Sequence, residues 1–514
     1  MPDRFRLLLT TVFLLSLLMG WGVSHASELW PDCAFVPEVR SELDFSPLAA
    51  NATYYSDPPF VPEPGLSHAF YNLNSLGSSL LEAFSPGPKH RSLVQYAYAD
   101  SSVNFGVEVN FLTGYDRRWD DPGNYGFLYK GLRVNSQLNG KFRLRGTWWN
   151  GKFHGDKEDW VASPLIDGYN NQNPDGSLLD NLNGDISYGD KHFIAALGRG
   201  RFQICNSISG STVLSDRCNE YDYLLLEENF GQFRFTFLNS ALQPDSALAA
   251  TSGVEEEYPA KFLAVHQMTY IPRDWLECYI GETAVYGNRF DLTYLLPMYF
   301  WRVNKYNLRE RDNLMIYGGA NFFAKQDLTF YFNFAVDELT YNKFYTNWWG
   351  NKYALQAGTS LRLRMLALTA NQAPRCGLEF TAVRPWTYTH YANVSMYSHD
   401  RRPLGYPKGA NLLDVTAEIN VPLPAALRWD SQISCTWQGS EGNDWRMNYQ
   451  DFFTPETIND AEADWLAGDV SFNCRWQNTL KIGILAHHSI LLGHSSTFGD
   501  TPKQQFFGSW QFSF

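Results

Sequence analysis

Along much of this chain, apolar and polar residues alternate with a period of two, and arginine occupies many of the polar positions. In Val103–Phe111 the odd positions are apolar and the even ones are polar or glycine. Successive side chains of a strand point to opposite faces, so a segment of this kind has one greasy and one wet face. Lys141, Arg143, Arg145 and Thr147 share the wet face of 141–148. The pattern returns in 232–237 with Arg234, in 329–334, and in 360–365 with Arg362 and Arg364. Arginines spaced by two are costly against a dry core and cheap along a hydrated lumen. Apolar outside and polar inside is the arrangement of a transmembrane antiparallel β-barrel of the outer-membrane type. A soluble sandwich would not repeat the cationic face over so many strands.

Composition agrees. Among 514 residues, 16% are aromatic (Phe 36, Tyr 29, Trp 17) and 44% hydrophobic, yet mean hydropathy is −0.32. Such a chain is too aromatic for disorder. Its net charge of −13 argues against a nucleic-acid partner, which wants excess cation. At the start, Arg4 and Arg6 precede an almost uncharged apolar run from Leu7 to Val23, and Ser24-His25-Ala26 supplies small residues for cleavage. Residues 1–26 therefore read as a secretory signal peptide. Cys33 follows Trp30-Pro31-Asp32, which is not a lipobox. A membrane helix needs about 20 apolar residues, and later runs such as Leu292–Trp301 are too short. At the other end, Phe506, Gly508, Trp510, Phe512 and Phe514 share one strand face. A terminal strand closing on an aromatic residue resembles the signal handed to the barrel-assembly machinery, with Phe514 as its last element.

Three regions are expected: the signal peptide 1–26, a Pro-rich segment 27–91 with one or two short helices (periplasmic or plugging the barrel mouth), and a barrel over 92–514. Helical spacing of apolar residues between Leu66 and Phe84 motivates the helices. Strand counting leads to about 18, with 16 as the fallback, because such barrels prefer even numbers. Expected strands include 184–189, 353–371, 468–478 and 479–490. Long polar connections run over 151–183, 243–259, 386–411 and 439–465; long loops of this kind are extracellular in such barrels.

Chemistry-bearing residues are sparse. Cys205 and Cys218 are near enough to staple one loop, and Cys435 and Cys474 look like equivalent places on neighbouring strands. The favoured reading leaves most of the seven cysteines free. Their spacing gives no zinc signature, and His487, His488 and His494 read as rim histidines without carboxylates at ligand spacing. Neither a metal nor a cofactor is expected. Ser489 beside His488 forms no recognisable catalytic signature, so no enzyme activity is expected. Glu255-Glu256-Glu257 reads as a solvated loop. Trp148-Trp149 and Trp348-Trp349 suit either girdle anchors or platforms for sugar rings.

One stretch carries a resemblance. Glu379-Phe380-Thr381-Ala382-Val383-Arg384-Pro385-Trp386-Thr387-Tyr388-Thr389-His390, then Tyr397-Ser398-His399 and Leu404–Asn411, resemble the capsule-assembly Wzi family of outer-membrane proteins. Leu197-Gly198-Arg199 with Gly210–Asp216, Ile280–Gly287, Pro297, Asp312-Asn313 and Tyr331–Glu338 follow in the family's order. Where the family has a Trp-Gly-Pro-Gly-like turn, this chain has Gly200–Asn206. The resemblance implies a barrel of about 18 strands with a helical N-terminal segment, and a lectin-like, non-catalytic hold on capsular polysaccharide.

The motif also has a reading of its own. Pro385 cannot donate to a ladder and should end its strand. Aromatic and cationic residues then crowd one loop, where aromatics stack on sugars and Arg, His and Tyr supply directed donors. Arg384, Trp386, Tyr388, His390, Tyr397, His399 and Arg401, with Trp348 and Trp349, are the expected polysaccharide contacts. A structural rim braced by Arg384 and His390 fits the same residues. Arg143, Arg145, Arg234, Arg362 and Arg364 are expected to line the lumen. The expected partners are surface or capsular polysaccharide, outer-membrane lipid and lipopolysaccharide, and the chain is expected to be a monomer in the outer membrane of a Gram-negative cell. The alternative is a porin or polysaccharide-export channel with a cationic lumen.

Overall fold

The computed structural model describes residues 69–70, 94–99, 103–120, 123–155, 178–189, 192–244, 259–296, 299–304, 311–324, 327–363, 373–423, 427–485 and 488–513. Residues 1–26, where a signal peptide is expected, almost all of 27–91, Glu255–Glu257, Arg364, His487 and Phe514 lie outside them.

From Asn104–Asp120 onward, each barrel strand pairs antiparallel with the next in sequence, and Lys503–Ser513 pairs back onto Asn104–Asp120 to close a ring of 18 strands. The expected strand number and all-β class are borne out. The faces follow the alternation. In Phe142–His154, Phe142, Leu144 and Trp148 are exposed on the outside, while Thr147 and Trp149 are buried inside. Short turns gather at one end. At the Asn139-Gly140 turn both residues have left-handed φ, 54° and 65°, the type I′ geometry that matches strand twist. Most connections at the other end are long. Among the described residues no helix is long and apolar enough to cross a membrane; strands do the crossing.

Several expected boundaries move. Leu178–Gly189 starts earlier than expected, because Asn150 donates to Asp180 (2.8 Å) and Leu179 is buried inside. Lys352–Arg362 stops well before 371. Val470–Leu485 is one strand and His488–Gly499 is another, so the first strand runs on past 478 to Leu485. His488 and His494 lie six residues apart along this second strand. Ala69–Phe70, placed in a helix by apolar spacing, is a two-residue strand on Tyr96–Ala97. The free edge of Val94–Ala99 presents unpaired backbone groups, and pairing with them outweighs a weak helical pattern. Val94–Ala99 itself pairs with the lower part of Asn104–Asp120, on the same edge that Lys503–Ser513 occupies higher up.

Cys435 and Cys474 face each other across neighbouring strands and are disulfide-bonded. Cys205, Cys218, Cys278 and Cys376 are free, so Cys205 and Cys218 do not staple their loop.

The largest core is inside the barrel. Inward residues of the wall (Tyr223, Leu225, Leu263, Val265, Tyr279, Tyr317) pack with Phe202, Ile204, Val213 and Leu214 from one loop and Tyr388, Tyr397, Leu404 and Tyr406 from another. The loop-bearing half of the lumen is therefore filled rather than wet.

Candidate functional site

Residues 201–220 join Phe193–Gly200 to Tyr221–Phe230, the fifth and sixth strands of the ring, and turn into the lumen. Ile204 and Leu214 form a backbone bridge within this loop. Its tip reaches the far wall, where Glu379, on the thirteenth strand, accepts hydrogen bonds from the backbone of Ile208 (2.7 Å) and Ser209 (3.0 Å) and from the Ser209 hydroxyl. Tyr331 donates to the same carboxyl group (2.6 Å). Gln356 donates to the Gly210 carbonyl (2.9 Å), and Asn333 to that of Asn206 (2.8 Å). Polar groups buried in a lumen need partners, and the loop backbone meets theirs.

The 384–411 loop locks this crossing from above. Pro385 ends the strand Arg375–Val383, and Trp386 and Tyr388 follow with left-handed φ of 66° and 76°. Such a backbone costs about 1–3 kcal/mol per residue and persists only where neighbours hold it. They do: Trp386 N–H donates to Gly442 (2.8 Å) and Tyr388 N–H to Asp337 (2.8 Å). The Tyr388 hydroxyl donates to the Thr212 carbonyl (2.7 Å) and that of Tyr397 to Val213 (2.8 Å). His399 Nδ1 accepts from Gln243 N–H (3.0 Å), and its Nε2 lies 3.2 Å from the Glu220 carbonyl. The two loops thus form one buried unit.

These placements differ from a sugar-facing surface. Trp386, Tyr388, Tyr397 and His399 are each at most 2% exposed, which leaves no ring face free for a sugar. Arg384 is equally buried; it donates to the Asn351 and Trp348 carbonyls (3.2 and 3.4 Å) and lies over the Tyr353 and Trp465 rings. The bracing reading of the motif describes these five residues. His390 is buried, with its ring against the half-exposed Tyr391 and its Nδ1 accepting from the Ala392 N–H (3.2 Å), and Arg401 is exposed.

Trp348 and Trp349 belong to a second platform. Both indoles donate to the Ile458 carbonyl (3.3 and 2.6 Å). Trp349 and Trp386 pack with Ala463, Met447, Tyr449, Phe453 and Ile458, joining the loops 339–351, 384–411 and 440–469. In the same loops the sequence reading missed Tyr341 (98% exposed), Tyr345 (95%), Phe344 and Phe452, the last with its ring against Trp386. Lys343 lies 5.1 Å over the Trp348 ring. The signal was in the run Tyr341-Asn342-Lys343-Phe344-Tyr345, three aromatics within five residues of a long loop.

Lower in the barrel, Arg143, Arg145 and Arg234 share the inward face. Arg145 pairs with Asp185 (2.6 Å) and Arg234 with Glu277 (3.4 Å). Arg362 is half-buried at its strand end. These pairs cancel much of the positive charge an anion channel would need. Among the described residues no group of His, Cys, Asp and Glu is arranged to hold a metal.

No family model and no curated protein matches the chain. Solved structures do. Wzi of Escherichia coli, described as an outer-membrane protein involved in group 1 capsule assembly and a carbohydrate-binding β-barrel, aligns with a TM-score of 0.52 at 12% identity, covering 79% of this chain and 84% of that one. OccAB1 of Acinetobacter baumannii aligns at 0.44 and 11% identity, covering 80% and 96%. OccK5 (OpdH) of Pseudomonas aeruginosa aligns at 0.42 and 9% identity, covering 80% and 98%. At these identities the likeness is one of fold, that of outer-membrane barrels.

Proposed function

We propose that this protein is a non-enzymatic barrel of a Gram-negative outer membrane that holds exported or capsular polysaccharide on its loop-bearing end, a lectin-like role. The fold likeness to Wzi, a carbohydrate-binding barrel, makes the reading reasonable. The observation that carries it is the exposed set Tyr341, Phe344 and Tyr345 on the loop that also carries Trp348 and Trp349, with the exposed Phe452 against the Trp386 ring. Sugar rings present apolar C–H faces, and rigid exposed aromatics pack on them at low entropic cost. The contacts move outward from the buried motif: Arg384, Trp386, Tyr388, Tyr397 and His399 brace the loops, and the exposed residues meet the glycan. Arg401, exposed at the edge, supplies a polar contact.

The inturned 201–220 loop and the paired arginines weigh against free diffusion through the lumen. The test combines a glycan array on detergent-purified protein with planar-bilayer recordings. Tyr341→Ala combined with Tyr345→Ala should weaken retention of the bound glycan by about tenfold or more, the loss of roughly 1–3 kcal/mol for stacking contacts, with an unchanged heat-induced gel-mobility shift. Wild-type protein should give no large steady conductance. A stable large conductance without glycan retention would establish the channel reading instead.

A further inference from the structure

One long loop does not fold inward. Residues 288–296 and 299–304, between the strands Leu276–Gly287 and Asn313–Ala324, lie against the outer face of the wall. Tyr294 and Trp301, both fully buried, pack on Phe237, Ala264, Ala284, Tyr286 and Leu314. The face is set by alternation: Glu282 shares its side of the strand with Ile280, which is 57% exposed on the outside. Register puts His266 opposite Glu282 on that same outer face.

Glu282 lies seven residues from Trp275, which is exposed at the short-turn rim. At about 3.4 Å per residue and about 40° of tilt, that is about 18 Å up a lipid-facing band about 25 Å tall. A carboxylate there would be expensive if it met hydrocarbon. It does not, because the loop covers it. Trp301 N–H and Arg302 N–H donate to its two oxygens (2.8 and 3.1 Å), His266 Nε2 lies 3.1 Å away, and the Trp301 ring covers the imidazole at 4.1 Å. Arg302 also donates to the Leu314 and Asp337 carbonyls, and Arg289 clamps Asp312 through two bonds. The loop is thus fastened to the wall at the height where lipid belongs. Its other side presents Phe290, Leu292, Leu296, Tyr299, Phe300 and Val303, of which Phe300 and Val303 are 72% and 73% exposed.

We propose that this loop is an outer apron embedded in the outer leaflet, its exposed apolar side meeting lipid acyl chains in place of the barrel wall. Continuity identifies the occupant: the wall directly below, at Ile280, Tyr270 and Phe332, is itself exposed and apolar on the same outward side. Six large apolar side chains on a segment held at band height extend that surface. The Glu282–His266 pair is the fastening, paid out of reach of hydrocarbon by the apron it holds.

The test is photocrosslinking of the full-length protein in phosphatidylethanolamine vesicles with radiolabelled acyl chains. Benzoylphenylalanine is placed singly at Phe300, at Val303, at Ile280 as a wall position and at Tyr345 as a loop tip. Labelled lipid adducts at 280, 300 and 303, and none at 345, are expected. Glu282→Gln should lower the adduct yield at 300 several-fold and leave that at 280 unchanged. Adducts at 280 without adducts at 300 and 303, adducts at none of the three, or a crosslinked dimer as the main product at 300 would overturn the proposal.

Discussion

His399 shows how a residue chosen for its chemistry becomes a structural part. Its ring is 2% exposed. Nδ1 accepts from the Gln243 N–H, so in the neutral ring the proton sits on Nε2 and points to the Glu220 carbonyl. Burial pushes the imidazole down to about 3 from its ordinary 6.5; Lys261 and Arg199 act in the same direction, and the Glu220 carbonyl opposes them. The sign follows. The unfolded loop takes up a proton more readily than the folded one, so stability is complete above about 6.5 and falls as pH drops toward about 3. At pH 5 the loss reaches about 2 kcal/mol. Amide exchange over Tyr397–Leu404, corrected for its intrinsic pH dependence, should therefore quicken between pH 7 and pH 5. His399→Gln should flatten that response, and an unaltered slope would show that the ring does not titrate there. Sequence alone could place His399 in the loop beside Tyr397. Its partners, Gln243 and Glu220, are 156 and 179 residues away, and no local pattern reports them.

At the scale of elements, strands and loops were unequally legible. The wall obeys a rule written residue by residue, since a one-residue slip would turn its greasy face inward. The alternation in Asn104–Asp120 and Phe142–His154 therefore gave their faces directly. The lumen did not follow from the same rule. Tyr223–Leu226 and Phe262–Val265 are apolar on both faces, a local departure from wet-inside alternation. That was the trace of loops packing against the wall from within. The motif beginning at Glu379 was visible, but its role depends on Ile208 and Ser209, about 170 residues earlier. Replacing Phe202–Asn219 by a short Gly-Ser linker tests this division. The ring's ladder of strand pairs does not include the loop, so the heat-induced mobility shift should persist. The lumen should open, giving a conductance in planar bilayers that the parent lacks. A variant that keeps its mobility shift and stays silent would mean that other loops seal the lumen.

The whole molecule depends on one seam. Every other strand neighbour is close in the chain, but Lys503–Ser513 must find Asn104–Asp120 after the rest of the ring has been laid down. Loop-closure cost grows slowly with length, so the seam is affordable only because closure pairs both remaining edges at once and leaves no open edge at band height, where unpaired backbone groups would meet lipid. The apolar row Phe506, Trp510 and Phe512 places the seam's outer face in register with Trp119, Tyr115 and Thr113. Ser509, opposite Asp116 and buried inside, contributes little packing of its own. Its hydroxyl also hydrogen-bonds the Asp116 carboxyl, a contact that Ser509→Ala removes as well, so what separates Ser509→Pro from Ser509→Ala is the ladder: proline removes an N–H and cannot sit in a central strand. Ser509→Ala keeps the N–H. Purified from membranes, the alanine variant should show the compact unheated band of the parent, and the proline variant should run as unfolded chain before heating. An intact compact band in Ser509→Pro would show that the ring closes without this edge, through Val94–Ala99 on the lower part of the same strand.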